Sequence, residues 1–189
     1  YALSIVEDIE TENLLFLGTD DGLYYTINAG ENWTKVDSKV FPTVSTKDLV
    51  IHPREHDLVI GTFGRAIWVW DDIRLFRALA KNPDLIKKQL NVFDPPKAYL
   101  TEYQQPNGSR FGADAIYNAE NKKYGGMLTF FYKVGDEKEK DSLHLNVYEG
   151  ERLIRTLKRK APKETGFHRW YWTLNEKGVE RPSRKERKS

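Results

Sequence analysis

A repeat is the feature that most constrains this 189-residue chain. The run Leu14-Leu15-Phe16-Leu17-Gly18-Thr19 returns as Asp57-Leu58-Val59-Ile60-Gly61-Thr62, with Gly18 and Gly61 43 residues apart. Each copy leads into a Gly-containing turn, Asp20-Asp21-Gly22 or Phe63-Gly64-Arg65. A second apolar run follows, Leu23 to Ile27 or Ala66 to Trp70. Short apolar runs bounded by turn chemistry read as strands, and Gly admits the positive φ that a tight hairpin needs. Leu3 to Ile9 precedes the first copy and Asp48 to His52 the second, while Trp33 to Val36 gives only the first a fourth strand. Four antiparallel strands recurring every ~40–45 residues is the pattern of β-propeller blades, and a ring takes about 4–8 of them. The sequence therefore predicts two blades of an incomplete propeller over residues 1–71, with further blades needed to cover their faces.

The pattern changes at Asp72. Residues 72–92 read as a helical linker, with Asp72 as cap and Ile73, Phe76, Arg77 and Ala80 on one face. Asn82-Pro83 starts a second helix reaching about Leu90, Asn as cap and Pro at the first helical position. Residues 93–175 return to β structure and predict an Ig-like sandwich. Candidate strands there are Ala98 to Tyr103, Gly126 to Val134, Leu143 to Tyr148, Leu153 to Leu157 and Phe167 to Leu174. Gln104 to Ala113 and Lys158 to Glu164 read as loops, and Gly135 to Asp141 as a charged hairpin tip. About five strands is short of the roughly seven of a full sandwich, so this module too reads as incomplete. Residues 176–189 form a basic tail expected to be solvated. The fold class is thus all-β with a short helical insert.

Charge is close to balance at +2, which gives no global field for nucleic acid or membrane. Interleaved acids make Lys158-Arg159-Lys160 and the tail read as solvated rather than as a nucleic-acid surface. The absence of cysteine removes disulfides and thiolate metal sites. No apolar run approaches the ~20 residues of a membrane helix. No signal peptide precedes Tyr1, which already lies in an alternating segment; the expectation is a trimmed or excised product.

Thr26-Ile27-Asn28-Ala29-Gly30-Glu31-Asn32-Trp33 resembles an Asp-box, Ser/Thr-x-Asp-x-Gly-x-Thr-Trp, the BNR-repeat signature of sialidases, xyloglucan-degrading tandem propellers and sortilin-type propellers. Asn28 stands for the Asp and Asn32 for the Thr. Gly61 to Asp72, followed by a Leu-rich helix and Phe93-Asp94-Pro95-Pro96, resembles the last blade of BNR/Asp-box, sortilin-like "glycosyl hydrolase" propeller proteins of Bacteroidetes-type bacteria. In those proteins an Ig-like module follows. Asn121 to Tyr132, Val147 to Leu157 and Gly166 to Trp172 resemble its strands, and its final strand region is missing here. The resemblance implies the last two blades, a secreted, periplasmic or cell-surface location, and a glycan or peptide ligand. The remaining blades, from the same parent or another chain, are the implied partners. It implies no cofactor, and no complete active site in this chain; the parent is either a scaffold or a glycoside hydrolase whose carboxylates lie mainly in absent blades.

If blade topology carries over, Asp20, Asp21, Phe63 and Arg65, with Phe41 to Ser45, face the functional mouth. Asp20 and Asp21 are weak candidates for half of a glycosidase carboxylate pair, although Asp-Asp-Gly is also plain turn chemistry. Arg65 suits a carboxylate or sugar acid, although pairing with a neighbouring blade is the commoner role of such an arginine. Thr26, Asn28, Gly30 and Trp33 read as structural. His52 and His56 are spaced for zinc only on a helix, and Pro53 argues for a turn, so no metal is expected. His144 and His168 read as packing or surface residues. One of Trp170, Tyr171 and Trp172 at least must face a core, which leaves an aromatic sugar platform as the lesser reading. The sequons at Asn32 and Asn107 read as chance.

Overall fold

A computed structural model describes residues 1–100, 122–135 and 142–176. The chain divides into two compact units, Tyr1–Phe93 and Asp94–Ser189. Expected features at 101–121, 136–141 and 177–189 lie outside the described residues, among them most of the loop and strand before Asn121, the charged hairpin tip and the basic tail.

In the first unit, β1 (Ala2–Glu7), β2 (Leu15–Thr19), β3 (Gly22–Thr26) and β4 (Thr34–Lys35) form a meander in sequence order, antiparallel throughout. The second sheet repeats it with β5 (Thr46–Ile51), β6 (Leu58–Thr62) and β7 (Ile67–Trp70). Among the described residues β7 is the sheet's edge. Each first strand carries a register irregularity at its start, between Ala2 and Ser4 and between Thr46 and Asp48. The repeat in sequence is thus a repeat in structure, down to the placing of the bulge.

Period-two alternation sorts the side chains. Val6, Phe16 and Tyr25 share one face of the first sheet with Leu23, whereas Ile5, Leu17 and Tyr24 share the other. In the second sheet Leu49, Ile60 and Trp68 share a face with Ile51, Leu58 and Trp70, opposite Val50, Val59 and Val69. Phe16, Leu23, Leu49, Ile51, Leu58 and Ile60 are buried. They form the core between the sheets, which meet closely at Gly18. A Cβ on Gly18 would fall on Ser4 Oγ and 2.7 Å from both the carbonyl oxygen and the Cγ2 of Thr46.

The helix α1 (Arg74–Lys81) is part of this unit. Leu75, Phe76, Arg77 and Leu79 are its buried residues. Phe76 meets Phe16 at 5.7 Å, Tyr25 at 4.8 Å and Trp70 at 5.2 Å between ring centroids, so one side chain packs on both sheets. Arg77 is an acid-binding residue on an apolar face. Its Nε and Nη2 each donate to the buried Asp8 carboxylate at 2.8 Å. Asp72 accepts from Arg74 N, but the cap position falls on Ile73, which offers no side-chain acceptor. The expected second helix is a 3-10 turn, Pro83–Lys87, with Asn82 Oδ1 accepting from Asp84 N. The chain then extends as β8 (Leu90–Val92). Five residues are too few for an α-helix to gain its successive i to i−4 bonds.

In the second unit β9 (Gly126–Tyr132) pairs antiparallel with β12 (Gly166–Trp172), and β10 (Ser142–Glu149) with β11 (Arg152–Lys160). Met127, Phe130, Phe131 and Tyr132 are buried. Phe130 stacks edge-on to Trp170, and the Arg159 guanidinium lies 5.3 Å from the Trp170 ring centre. The basic stretch expected as a loop from Lys158 is instead the end of β11, because Lys158 and Lys160 continue its ladder opposite His144 and Ser142. Among the described residues the structure is all-β apart from α1 and the 3-10 turn.

Removing the Arg77 side chain leaves the Asp8 carboxylate buried and unpaired, so Arg77→Ala should cost about 3–5 kcal/mol. Residues 1–72 alone lack both Phe76 and Arg77 and should show no cooperative melt. Gly18→Ala should cost about 1–3 kcal/mol by overpacking. Gly64→Ala, which meets nothing within 4 Å at φ +80°, should cost only the left-handed strain of about 1–2 kcal/mol. Urea melts of these variants check each value.

Candidate functional site

The strand register puts two groups of turns at opposite ends of the first unit. Ala2 lies opposite Thr19 and Thr46 opposite Thr62, and Gly18 abuts Thr46. The β2–β3 turn, the β6–β7 turn and the segment entering β5 are therefore at one end; Phe63 N donates to Ser45 O there. The β1–β2, β3–β4 and β5–β6 turns are at the other, where Ala29 N donates to Asn13 O.

The Thr26–Trp33 turn is closed by its own side chains. Thr26 Oγ1 accepts from Asn28 N and Gly30 N and donates to Asn28 Oδ1, which also accepts from Asn32 N. Asn supplies the acceptor an Asp would. Ala29 and Gly30 take positive φ, and the Trp33 indole lies beside Gly30. Thr26 is buried, so this motif presents hydrogen bonds to its own backbone.

The candidate residues at the first end differ in kind. Asp21 is bound on three sides, by Lys35 Nζ at 2.8 Å, Thr19 Oγ1 at 2.7 Å and Tyr24 Oη at 3.2 Å. The ion pair with Lys35, then the Thr19 hydroxyl, hold its carboxyl down at about 2. A general acid must carry its proton near neutral pH and so needs the opposite shift. Asp20 bonds to the main chain of Tyr1 through its carboxylate and its N–H.

In the β6–β7 turn Gly64 and Ala66 have positive φ. Thr62 Oγ1 donates to Ala66 O, and Trp68 Nε1 to Arg65 O. That frame holds the Phe63 ring 74% exposed. Lys47 Nζ stands 5.9 Å from the ring centre, a residue the sequence reading did not single out. Arg65 is exposed. The turn thus offers an aromatic surface and two cations.

At the opposite end lies a cluster that sequence reasoning also missed. Besides Asp8, Arg77 Nη1 donates to Glu10 Oε2 at 2.8 Å and meets His56 Nδ1 at 2.9 Å. His52 Nδ1 accepts from Glu55 N, so the two imidazoles serve different partners. A charged residue on the apolar face of a predicted helix was the available signal. Among the described residues no group of three His, Asp or Glu side chains is placed to hold a metal ion. No described helix is long and apolar enough to cross a membrane. In the second unit Trp170 and Trp172 share a face of β12, with Trp172 Nε1 bonded to Asn175 O, and Tyr171 faces the other way beneath Lys123. The three rings do not form one platform.

No protein-family model, curated protein or solved structure matches the chain.

The Asp21 carboxyl should titrate near 2 and rise toward the ordinary 3.8 when Lys35→Met removes the cation. Because its value is lowered by folding, its contribution to stability is present above the ordinary carboxylate range and disappears as pH falls through about 2. Carbon-detected NMR titration of both proteins measures this.

Proposed function

We propose that this chain is the C-terminal scaffold and binding portion of a secreted or surface-exposed β-propeller protein of the BNR/Asp-box, sortilin-like class. The two sheets of the first unit are its last two blades, and the second unit is an Ig-like module. One observation carries the reading. The two sheets bury their facing sides, yet their outward sides are also apolar. Ile5 is 59% exposed on one, and Val50 and Val69 are 54% and 56% exposed on the other. A two-layer structure standing alone carries polar residues there; blades within a ring do not, because each is covered on both sides. The edge of β7, at the position where β4 lies in the first sheet, fits a strand from another segment.

The ligand-facing part is the end that carries Phe63, Arg65 and Lys47, and a glycan or peptide bearing an acidic group suits it. Within the hydrolase alternative, an Asp21 held ionised does not suit the general acid and would suit the carboxylate that acts ionised.

Val50→Lys and Val69→Lys should each change the stability of the present chain by no more than ~0.5 kcal/mol, as exposed substitutions do. In the protein carrying the further blades the same lysines would be buried between sheets and should cost several kcal/mol. Equal tolerance in both proteins would defeat the ring. Asp20→Asn and Asp21→Asn should leave any polysaccharide turnover of the longer protein intact, whereas its collapse would establish the hydrolase instead.

A further inference from the structure

Arg77 spans three partners from two sheets, two carboxylates and one imidazole. Asp8 and Glu10 follow β1 in the first sheet, and His56 lies between β5 and β6 in the second. The Arg77 guanidinium has donors and no acceptor. A ring nitrogen 2.9 Å from Nη1 is therefore the acceptor, which fixes the neutral His56 with its proton on Nε2. The backbone agrees with a built position. His56 has φ +59°, its carbonyl accepts from Ile73 N at 2.8 Å, and its neighbour Asp57 accepts from Asp72 N at 2.8 Å. The turn thus grips the approach to α1 by the His56 carbonyl and the Asp57 carboxylate, and the middle of the helix by the imidazole.

We propose that His56 is an acid-sensitive release on helix α1. While the ring is neutral, Nδ1 takes the Arg77 Nη1–H and ties the helix to the second sheet. When Nδ1 binds a proton from solvent it no longer has a lone pair to offer, and an imidazolium stands against a guanidinium. The ring then turns to Glu10, whose Oε1 is already 3.7 Å from Nδ1. Arg77 keeps Asp8, so the helix stays fastened to the first sheet and loses its side-chain hydrogen bond to the second, while the packing of Phe76 on Trp70 remains.

The charged surroundings are accounted for on each element. Arg77 faces His56 from α1, and Asp8 and Glu10 face it across the β1–β2 turn. On its own turn His52 accepts from Arg54 N and Glu55 N, and Arg54 pairs with Glu55. Asp57 accepts from Asp72 N, and Asp72 binds Arg74 at 2.6 Å. Glu10 Oε2 also accepts from Arg77 Nη1, at 2.8 Å, but it belongs to the first sheet and so does not replace the imidazole's hold on the second.

Histidine ring NMR and amide hydrogen exchange on the full 189-residue chain, from pH 8 to pH 5, test the proposal. The expected result is an Nε2–H His56 at pH 8. Protection of the Phe76 to Lys81 amides, corrected for intrinsic exchange, should fall roughly tenfold as that ring charges, the scale of losing one hydrogen bond to a charged group. His56→Asn places a non-titrating amide at the Nδ1 position and tolerates the left-handed backbone, so its protection should not change over the same range. A proton on Nδ1 at pH 8, unchanged wild-type protection through the His56 titration, or an equal loss in His56→Asn overturns the proposal. The wild-type titration decides alone if the variant does not fold.

Discussion

The ion pair between Arg77 and Asp8 is the contact on which the first unit depends. Both side chains are almost fully buried, 4% and 0% exposed, so neither charge retains water. Such a pair survives only with complete partners, because desolvating two ions costs several kcal/mol each. Here the two carboxylate oxygens take Nε and Nη2, while Nη1 is left for Glu10 and His56. The arrangement does not supply most of the stability; the apolar contacts of Phe76 with Phe16, Tyr25 and Trp70 contribute that. It supplies direction. An apolar helix face slides and rotates on two sheets at little cost, but a guanidinium that must meet Asp8 and His56 together admits one placement.

That placement explains where backbone strain collects. Ala29, His56 and Asp72 all have positive φ without being Gly. His56 and Asp72 lie where the chain must turn to bring α1 against the sheets, and Asp57 and the His56 carbonyl take the N–H groups of residues 72 and 73. Each strained residue is matched by hydrogen bonds that a relaxed chain would forfeit, which is the condition for such conformations to persist. At the other end of the unit the strain serves display: Gly64 and Ala66 let the β6–β7 turn reverse tightly with Phe63 outside it.

What was legible in the sequence followed from periodicity. The repeat of Gly18 at Gly61, the alternation in Leu143 to Tyr148 and the turn at Asp20-Asp21-Gly22 all register as local patterns and became strands and hairpins. Lys158 and Lys160 read as loop because charge suggests solvent, yet one face of a hairpin ladder can be solvated as well as a loop can; Arg159 between them lies over the Trp170 ring. The stretch after Pro83 has helical composition but lacks length, so a 3-10 turn forms. Asp8 and Arg77 are 69 residues apart, and no local pattern joins them. The same holds for Lys47 beside Phe63, whose meeting depends on Thr46 pairing with Thr62.

The β2–β3 and β6–β7 turns show how residue type and available bonding capacity separate. Asp20-Asp21-Gly22 is the more suggestive pair by residue type, but Lys35, Thr19 and Tyr24 already satisfy Asp21, and any ligand must displace them. The Phe63 turn has the reverse economy. Its polar groups are spent on the backbone frame, through Thr62 and Trp68, and what remains outward is a ring with two nearby cations. A group that must break no existing bond to be engaged binds at lower cost than one that must. On the proposed reading, recognition at this end falls to Phe63, Arg65 and Lys47 rather than to Asp21, whose charge Lys35 already meets.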